Sequence, residues 1–259
     1  MEISSVPQST FDRSLDLQRE LDAALAARVV QTPWGAALYH DGYSRVTDLN
    51  VLVVHRNAES LDAATLVDEA EQLQANLPHR AIRVDDPVAA ARLAPEFAGR
   101  GWVVSRTALM VLRRHPDRPI DTSVAAEVDL DRVRSARQAA IRRVHRDLDV
   151  AAEAVAVGAL QHADARVLAY ATLVGGEVAA YCLLRTHEEG AKLVEVQALA
   201  RSQGHGVGRA VIWKVASVAR REKRNPIFVE CEHSEWAMTV YRRLGFDDAG
   251  VVHRFVRPW

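Results

Sequence analysis

Three glycines spaced by single residues, in Gln203-Gly204-His205-Gly206-Val207-Gly208, form the stretch of this 259-residue sequence with the clearest capacity for chemistry. The first turn of a helix leaves backbone N–H groups without partners and carries the positive end of the helix dipole. Glycines at that point let a large anion approach those groups closely, so the turn is a candidate phosphate or pyrophosphate site; the alternative is a tight turn with no ligand. Two common phosphate patterns do not fit. A Walker A loop needs Lys and then Ser or Thr after its last glycine, where this chain has Arg209 and Ala210, and a dinucleotide fingerprint needs a further glycine at position 209.

The elements on either side must hold that turn in place. Residues 192–200 carry Val194 and Val196 at alternating positions and read as a half-buried strand. Period two then puts Glu195 and Gln197 on one face and Val194 and Val196 on the other, as expected of a strand that lines a cleft. After the turn, Val207, Ala210, Val211, Val215 and Val218 recur at helical spacing, opposite a face with Arg209, Lys214, Arg220 and Arg221. Residues 227–232 give a further short strand. The segment SEWAMTVYRRLGF, 234–246, gives a short helix with an inward stripe of Ala237, Val240, Tyr241 and Leu244, ended by Gly245 and a core plug, Phe246.

The bulk numbers are those of a soluble globular protein, with 49% hydrophobic and 26% charged residues. A formal net charge of -1 gives no global reason to expect a nucleic-acid or anionic-membrane partner. No window approaches the roughly 18 apolar residues of a membrane span, and the N-terminus lacks a cationic apolar signal, so a cytoplasmic protein is expected. Cys182 and Cys231 sit in strand-like apolar sequence without zinc or redox spacing and read as buried thiols; no metal is called for.

Upstream, leucines four apart predict a helix over 15–30, and Pro33, Gly35 and Asp41-Gly42 predict a loop. Strands are expected at 49–55, 80–84 and 102–113, with helices at 61–77 and 87–99 between them. HPDRPID, 115–121, is the best boundary, dividing the chain into 1–116 and 117–259. Beyond it come a strand at 124–128, a helical region from about 129 to 163 with six arginines between Arg132 and Arg146, and a hairpin turning at Gly175-Gly176. The basic run reads either as a solvated face or as a surface for an acidic acceptor. The strand, helix, strand, helix, strand order of the first half repeats in the second, and PEFAGRGW at 95–102 echoes YRRLGFDD at 241–248.

The pattern Gln/Arg-x-x-Gly-x-Gly/Ala between strand and helix, followed by Tyr-x-x-x-Gly-Phe at the end of the next helix, resembles the two signatures of the GNAT superfamily of N-acetyltransferases, over roughly residues 120–259. The resemblance implies an α/β (α+β) fold with a mixed central sheet flanked by helices, whose strands at 192–200 and 227–232 splay around the cofactor. The first half, which has RNAESLDAAT where a glycine turn would stand, then resembles a degenerate GNAT-like unit, making the fold a tandem one; an unrelated α/β domain is the alternative. By the same resemblance the co-substrate is acetyl-coenzyme A. Val196, Gln197 and Ala198 would hold its pantetheine arm; Gln203, Gly204, His205, Gly206, Val207, Gly208 and Arg209 would hold its phosphates; and Ser234 joins the cofactor set where the family often has Asn. Tyr241 takes the place of the general acid. Glu195 is the expected base, with Glu230, Glu232 and water as competitors. The implied reaction is direct attack of a primary amine, on a small molecule or peptide, in a ternary complex, by a monomer or homodimer. A non-catalytic acyl-coenzyme A sensor is the alternative, and transfer to a hydroxyl or of a longer acyl group is a third possibility. Glu188 and Glu189, at the turn before the central strand, are candidates to meet a cationic acceptor.

Overall fold

In the computed structural model the described residues are 9–144, 167–199 and 206–258. Gln203, Gly204 and His205 and the helical expectation for 145–163 lie outside them. Helix α1 (Thr10–Ala23) starts with a capping box, in which the Ser9 hydroxyl accepts the Asp12 N–H and the Asp12 carboxylate accepts the Ser9 N–H. The predicted run to residue 30 fails in its second half. Residues Arg28–Thr32 are instead strand β1, paired in a hairpin with β2 (Gly35–Tyr39), so the expected loop at Pro33 is a hairpin turn. Sheet pairing of Val29 and Val30, both β-branched, wins over a leucine period that suits a helix equally well.

The remaining elements follow the sequence closely. They are β3 (Val51–Val54), α2 (Ala63–Leu73), β4 (His79–Val84), α3 (Pro87–Gly99), β5 (Val103–Leu112), β6 (Ala125–Val128), α4 (Leu130–Val144), β7 (Val167–Val174) and β8 (Glu177–His187). After these come β9 (Gly190–Ala198), α5 (Val207–Arg221), β10 (Ile227–Glu232), α6 (Glu235–Arg243) and β11 (Phe246–Pro258). Asp86 caps α3, with Pro87 in its first turn where no N–H is missed.

The eleven strands among the described residues join one open mixed sheet in the order β1-β2-β3-β4-β11-β5-β10-β9-β8-β7-β6. Apart from the extra edge strand β6, the order is symmetric about the β11–β5 pair. β3 and β4 pair in parallel on one side and β9 and β10 in parallel on the other, while β11 and β5 run antiparallel between them. Each of these two middle strands lies beside the other half's parallel pair: β11 is bonded to β4, and β5 to β10. Helices α2 and α3 pack on one face over Leu52, Ile82 and Phe255, and α5 and α6 on that same face over Ala108, Leu193 and Val229. The opposite face carries α1, over Leu109, Val111 and Phe228, and α4, over Val167, Ala169 and Leu183. The fold is thus a mixed α+β sheet flanked by helices, as expected.

Candidate active site

A cleft opens between β9 and β10. They pair only at Ala191 with Ile227, Lys192 with Phe228 and Leu193 with Val229. Beyond that point β10 stays bonded to β5 as far as Glu232, while β9 follows β8. The divergence coincides with a bulge in β9. Leu183 pairs with Val194 and Tyr181 with Gln197, so Glu195 and Val196 together oppose Cys182. Glu195 takes a left-handed backbone, φ 52°, an unusual state for a residue other than glycine.

The bulge also breaks the expected alternation. Val194 packs on the α4 face and Val196 on the α5 and α6 face, while Glu195 turns to α4 beside Val194. Its carboxylate is gripped in a two-point ion pair by Arg137 of α4, with Nε donating to Oε2 at 2.5 Å and Nη2 to Oε1. Burial disfavours the Arg137 charge, but the hydrogen bonds it donates to Glu195, with the attraction of that carboxylate, outweigh burial and raise the guanidinium pKa. Both Glu195 oxygens are therefore occupied by donors, which is not the arrangement expected of a free base. Arg137 was legible in the sequence only as one of a basic run. Its four-residue offset from buried Val133 was the signal that it faces inward.

Glu230 is engaged as well, since Lys192 Nζ donates to its Oε2 at 2.5 Å and also to Gln18 of α1. Glu232 is exposed at the open end of β10. Glu188 and Glu189 lie at the other end of β9, where their carbonyls accept from Arg224 at 2.6 Å and the Asn225 N–H at 2.7 Å. They are remote from the opening.

On the α5 and α6 face, Val196, Ala198, Cys231 and Tyr241 belong to one apolar cluster. Leu199 N–H donates back to the Ala179 carbonyl of the β8 side, so strand alternation turns the peptide edge of Val196 toward the cleft. Tyr241 is 8% exposed, and no hydrogen bond to its hydroxyl occurs among the described residues. Burial first, and then the neighbouring Cys182 and Cys231, raise its pKa, so the phenol holds its proton. Both cysteines are free thiols, with Cys182 buried and Cys231 half-buried; burial pushes Cys231 up to about 11.

Helix α5 begins at the mouth of the cleft. Gly206 is its N-cap with φ 77°, and no side chain caps this end. The Ala210 N–H is bonded to the Gly206 carbonyl at 3.0 Å, which leaves the N–H groups of Val207, Gly208 and Arg209 without intrahelical acceptors. A Cβ on Gly208 would sit 3.4 Å from Ala198 Cβ, so the first turn of α5 lies directly against the end of β9. Arg209 is exposed in that turn. The Ser234 hydroxyl instead caps α6, accepting the Ala237 N–H at 3.4 Å. Among the described residues no helix is long and apolar enough to cross a membrane, and no cluster of three metal-ligating side chains occurs.

No curated protein sequence matches the chain. Its fold is similar to that of a functionally unknown conserved protein from Staphylococcus epidermidis, at 13% identity, 90% of this chain, 94% of the other and a TM-score of 0.69. It is also similar to a GCN5-related N-acetyltransferase from Kribbella flavida, at 16% identity, 98% of this chain, 97% of the other and a TM-score of 0.67. A GCN5-related N-acetyltransferase from Sphaerobacter thermophilus matches at 16% identity, 89% and 79% coverage and a TM-score of 0.57. At such identities the likeness is one of fold. The stretch from α4 to the start of β11, which contains the splayed strands, the uncapped helix and Tyr241, is also the stretch that matches a family profile, and residues 132–246 are thereby a domain of the Acetyltransferase (GNAT) family.

Proposed function

We propose that the protein transfers an acetyl group from acetyl-coenzyme A to a primary amine by direct attack in a ternary complex. The observation that carries this reading is the parting of β9 and β10 after Leu193 and Val229, with the uncapped start of α5 at its mouth and Tyr241 in its wall. The residues fit the coenzyme. The Val196 edge of β9 offers peptide groups to an amide-bearing arm, and the first-turn N–H groups of α5 suit a pyrophosphate.

The amine nitrogen attacks the thioester carbon while a backbone N–H of β9 near Ala198 stabilises the oxyanion. The carbon–sulfur bond then breaks, and the departing thiolate takes the phenolic proton of Tyr241, which burial keeps in place until that moment. The proton released by the attacking nitrogen returns to the phenolate through water. We assign Glu195 a positioning part: tied to Arg137, it anchors the bulge, and the ammonium proton passes to water. Residues 117–259 then make the catalytic unit, and residues 1–116 a companion unit of the same plan that lends it strand β5.

The test is calorimetric titration with acetyl-coenzyme A, followed by free-thiol release against a panel of amines. Binding with amine-dependent thiol release supports the reading. Binding without release from any amine, hydroxyl or peptide would leave a coenzyme sensor, and no binding would remove the site.

A further inference from the structure

Two polar residues stand at the seam between the helix-covered cores of the two halves. In β5, Val104 packs against the core under α2 and α3, and Ala108 belongs to the core under α5 and α6. Arg106 lies between them on the same face, two residues from each. Its cross-strand partner is His253 of β11, 5% exposed, whose ring stacks with Phe255 at 6.3 Å. His233 follows the end of β10 and joins them there, because its N–H donates to the Arg106 carbonyl at 3.2 Å.

These three side chains have donors and no acceptor to meet. His253 Nδ1 is buried without a hydrogen-bond partner. Arg106 is exposed and His233 half-buried, and neither side chain forms an ion pair or hydrogen bond among the described residues. The carboxylates around the seam are engaged elsewhere. Asp86 caps α3, accepting the Val88 and Ala89 N–H groups at 2.9 and 2.8 Å, and Asp85 holds Arg19 and Arg83 on the opposite face. Glu235 and Asp248 both hold Arg242. Glu232, two residues after Glu230, turns with it to the α1 face. Burial, and then the charges of Arg106 and His233, lower the His253 pKa, so the field at the seam is positive.

The seam adjoins the β9–β10 cleft. Ala108 pairs with Cys231 of β10, and both belong with Tyr241 to one cluster. Arg106 is therefore about 7 Å along β5 from the cleft wall, within reach of an acceptor whose amine stands at Tyr241. A guanidinium meets a carboxylate through two parallel hydrogen bonds, and one permanent positive charge beside two imidazoles matches a singly charged anion.

We propose that Arg106, with His253 and His233, binds a carboxylate of the acceptor, so that the substrate is an amino acid or another short molecule with both an amine and a carboxylate. The first half of the chain then supplies, from β5, the residue that selects the acceptor. This rests on the acetyltransferase function proposed above. A phosphate would offer related chemistry, and the experiment separates the two.

Thiol release from acetyl-coenzyme A is measured against free α-, β- and γ-amino acids and their carboxamides, with the full chain and with Arg106→Gln. The full chain is expected to favour acids over amides by about tenfold or more in kcat/KM. The variant should lose that preference through KM and keep its affinity for acetyl-coenzyme A, since Arg106 is exposed and on the far side of β10 from β9. With free coenzyme A bound, the preferred amino acid should raise the His253 pKa followed by nuclear magnetic resonance. Equal use of acids and amides overturns the proposal, as does an undiminished preference in the variant. So does a His253 that responds to inorganic phosphate and to no amino acid, or to neither while both series go unacetylated. Failure of the full chain to bind acetyl-coenzyme A would instead overturn the acetyltransferase reading on which the proposal stands.

Discussion

In the first half, β3 and β4 pair from Leu52 to Val54, and the ladder runs on past the strand, because the Asp85 N–H reaches the Val54 carbonyl at 2.9 Å. In the second half, β9 and β10 part after Leu193 and Val229, with five residues of β9 and three of β10 still to come. The helices that follow differ in the same sense. The N-terminus of α2 is filled by its own Asp62, whose carboxylate accepts the Thr65 N–H at 2.7 Å, whereas α5 starts at a glycine with no cap. One helix satisfies its end with its own side chain, and the other has no side-chain cap.

A third difference lies four residues before each helix-ending glycine. Gly101 and Gly245 both take left-handed backbones, φ 81° and 91°, and each is followed by a buried aromatic, Trp102 or Phe246. The residue at the matching position is Phe97 in the first half and Tyr241 in the second. Phe97 is stacked on Phe255 at 4.2 Å, with no polar atom to offer. The same plan can therefore be built with its parallel strands closed or with them parted around a cleft. What separates them is one bulge, one missing cap and one hydroxyl.

The largest expected effect comes from closing the open end. Gly206→Val forces a β-branched residue into a left-handed backbone, at about 1–3 kcal/mol of strain, and crowds the turn. Coenzyme titration should show affinity lost by more than about 100-fold, with little change in circular dichroism; unchanged affinity would detach the turn from the ligand. Exchanging the aromatic pair comes next. Tyr241→Phe should lower kcat by about 10²-fold or more with binding kept. Phe97→Tyr should leave kcat alone but cost about 1–3 kcal/mol in denaturant unfolding, because a hydroxyl would be buried without a partner. Equal behaviour of the two variants would end the distinction between the halves.

Arg137→Met leaves the Glu195 carboxylate without its partner at the bulge. The expected cost is about 3 kcal/mol of stability, with KM for the coenzyme rising as β9 loses its bend. If Glu195→Gln slowed turnover and shifted the acid limb of the pH–rate profile while Arg137→Met did not, Glu195 would be a base after all. The smallest effect concerns His55 of the closed half and His253 of β11, which burial and then a neighbouring arginine, Arg19 or Arg106, hold below the usual imidazole range. A folded pKa below the unfolded one means that the unfolded chain binds more protons. Stability is then complete above about pH 6.5 and declines as the pH falls. Scanning calorimetry from pH 7.5 to 5.5 should show Tm falling by ~2–4 °C for each kcal/mol lost, and falling less in a His55→Gln/His253→Gln variant.

Much of this contrast was legible in the chain. Pro87 behind Asp86 marks the start of α3, Gly175-Gly176 marks the hairpin, and the spaced glycines mark the start of α5. The bulge was not, because a single left-handed Glu195 leaves no local signal and its partner Arg137 is 58 residues away. The end of α1 was misplaced because Leu25 and Val29 continue a helical period, and only pairing with β2 makes Arg28–Thr32 a strand. The central position of β11 depends on contacts between opposite ends of the chain, which local pattern does not carry.

That central position bears on how the protein is made. β11 leaves the ribosome after the other ten strands of this sheet, and until it does β4 and β5 have no strand between them and β4 keeps a bare edge. The first half must therefore wait through the synthesis of the second before its sheet is complete, an interval in which the open edge of β4 offers a template to other nascent chains. Pairing of His253–Pro258 with His79–Val84 covers that edge and ends the interval.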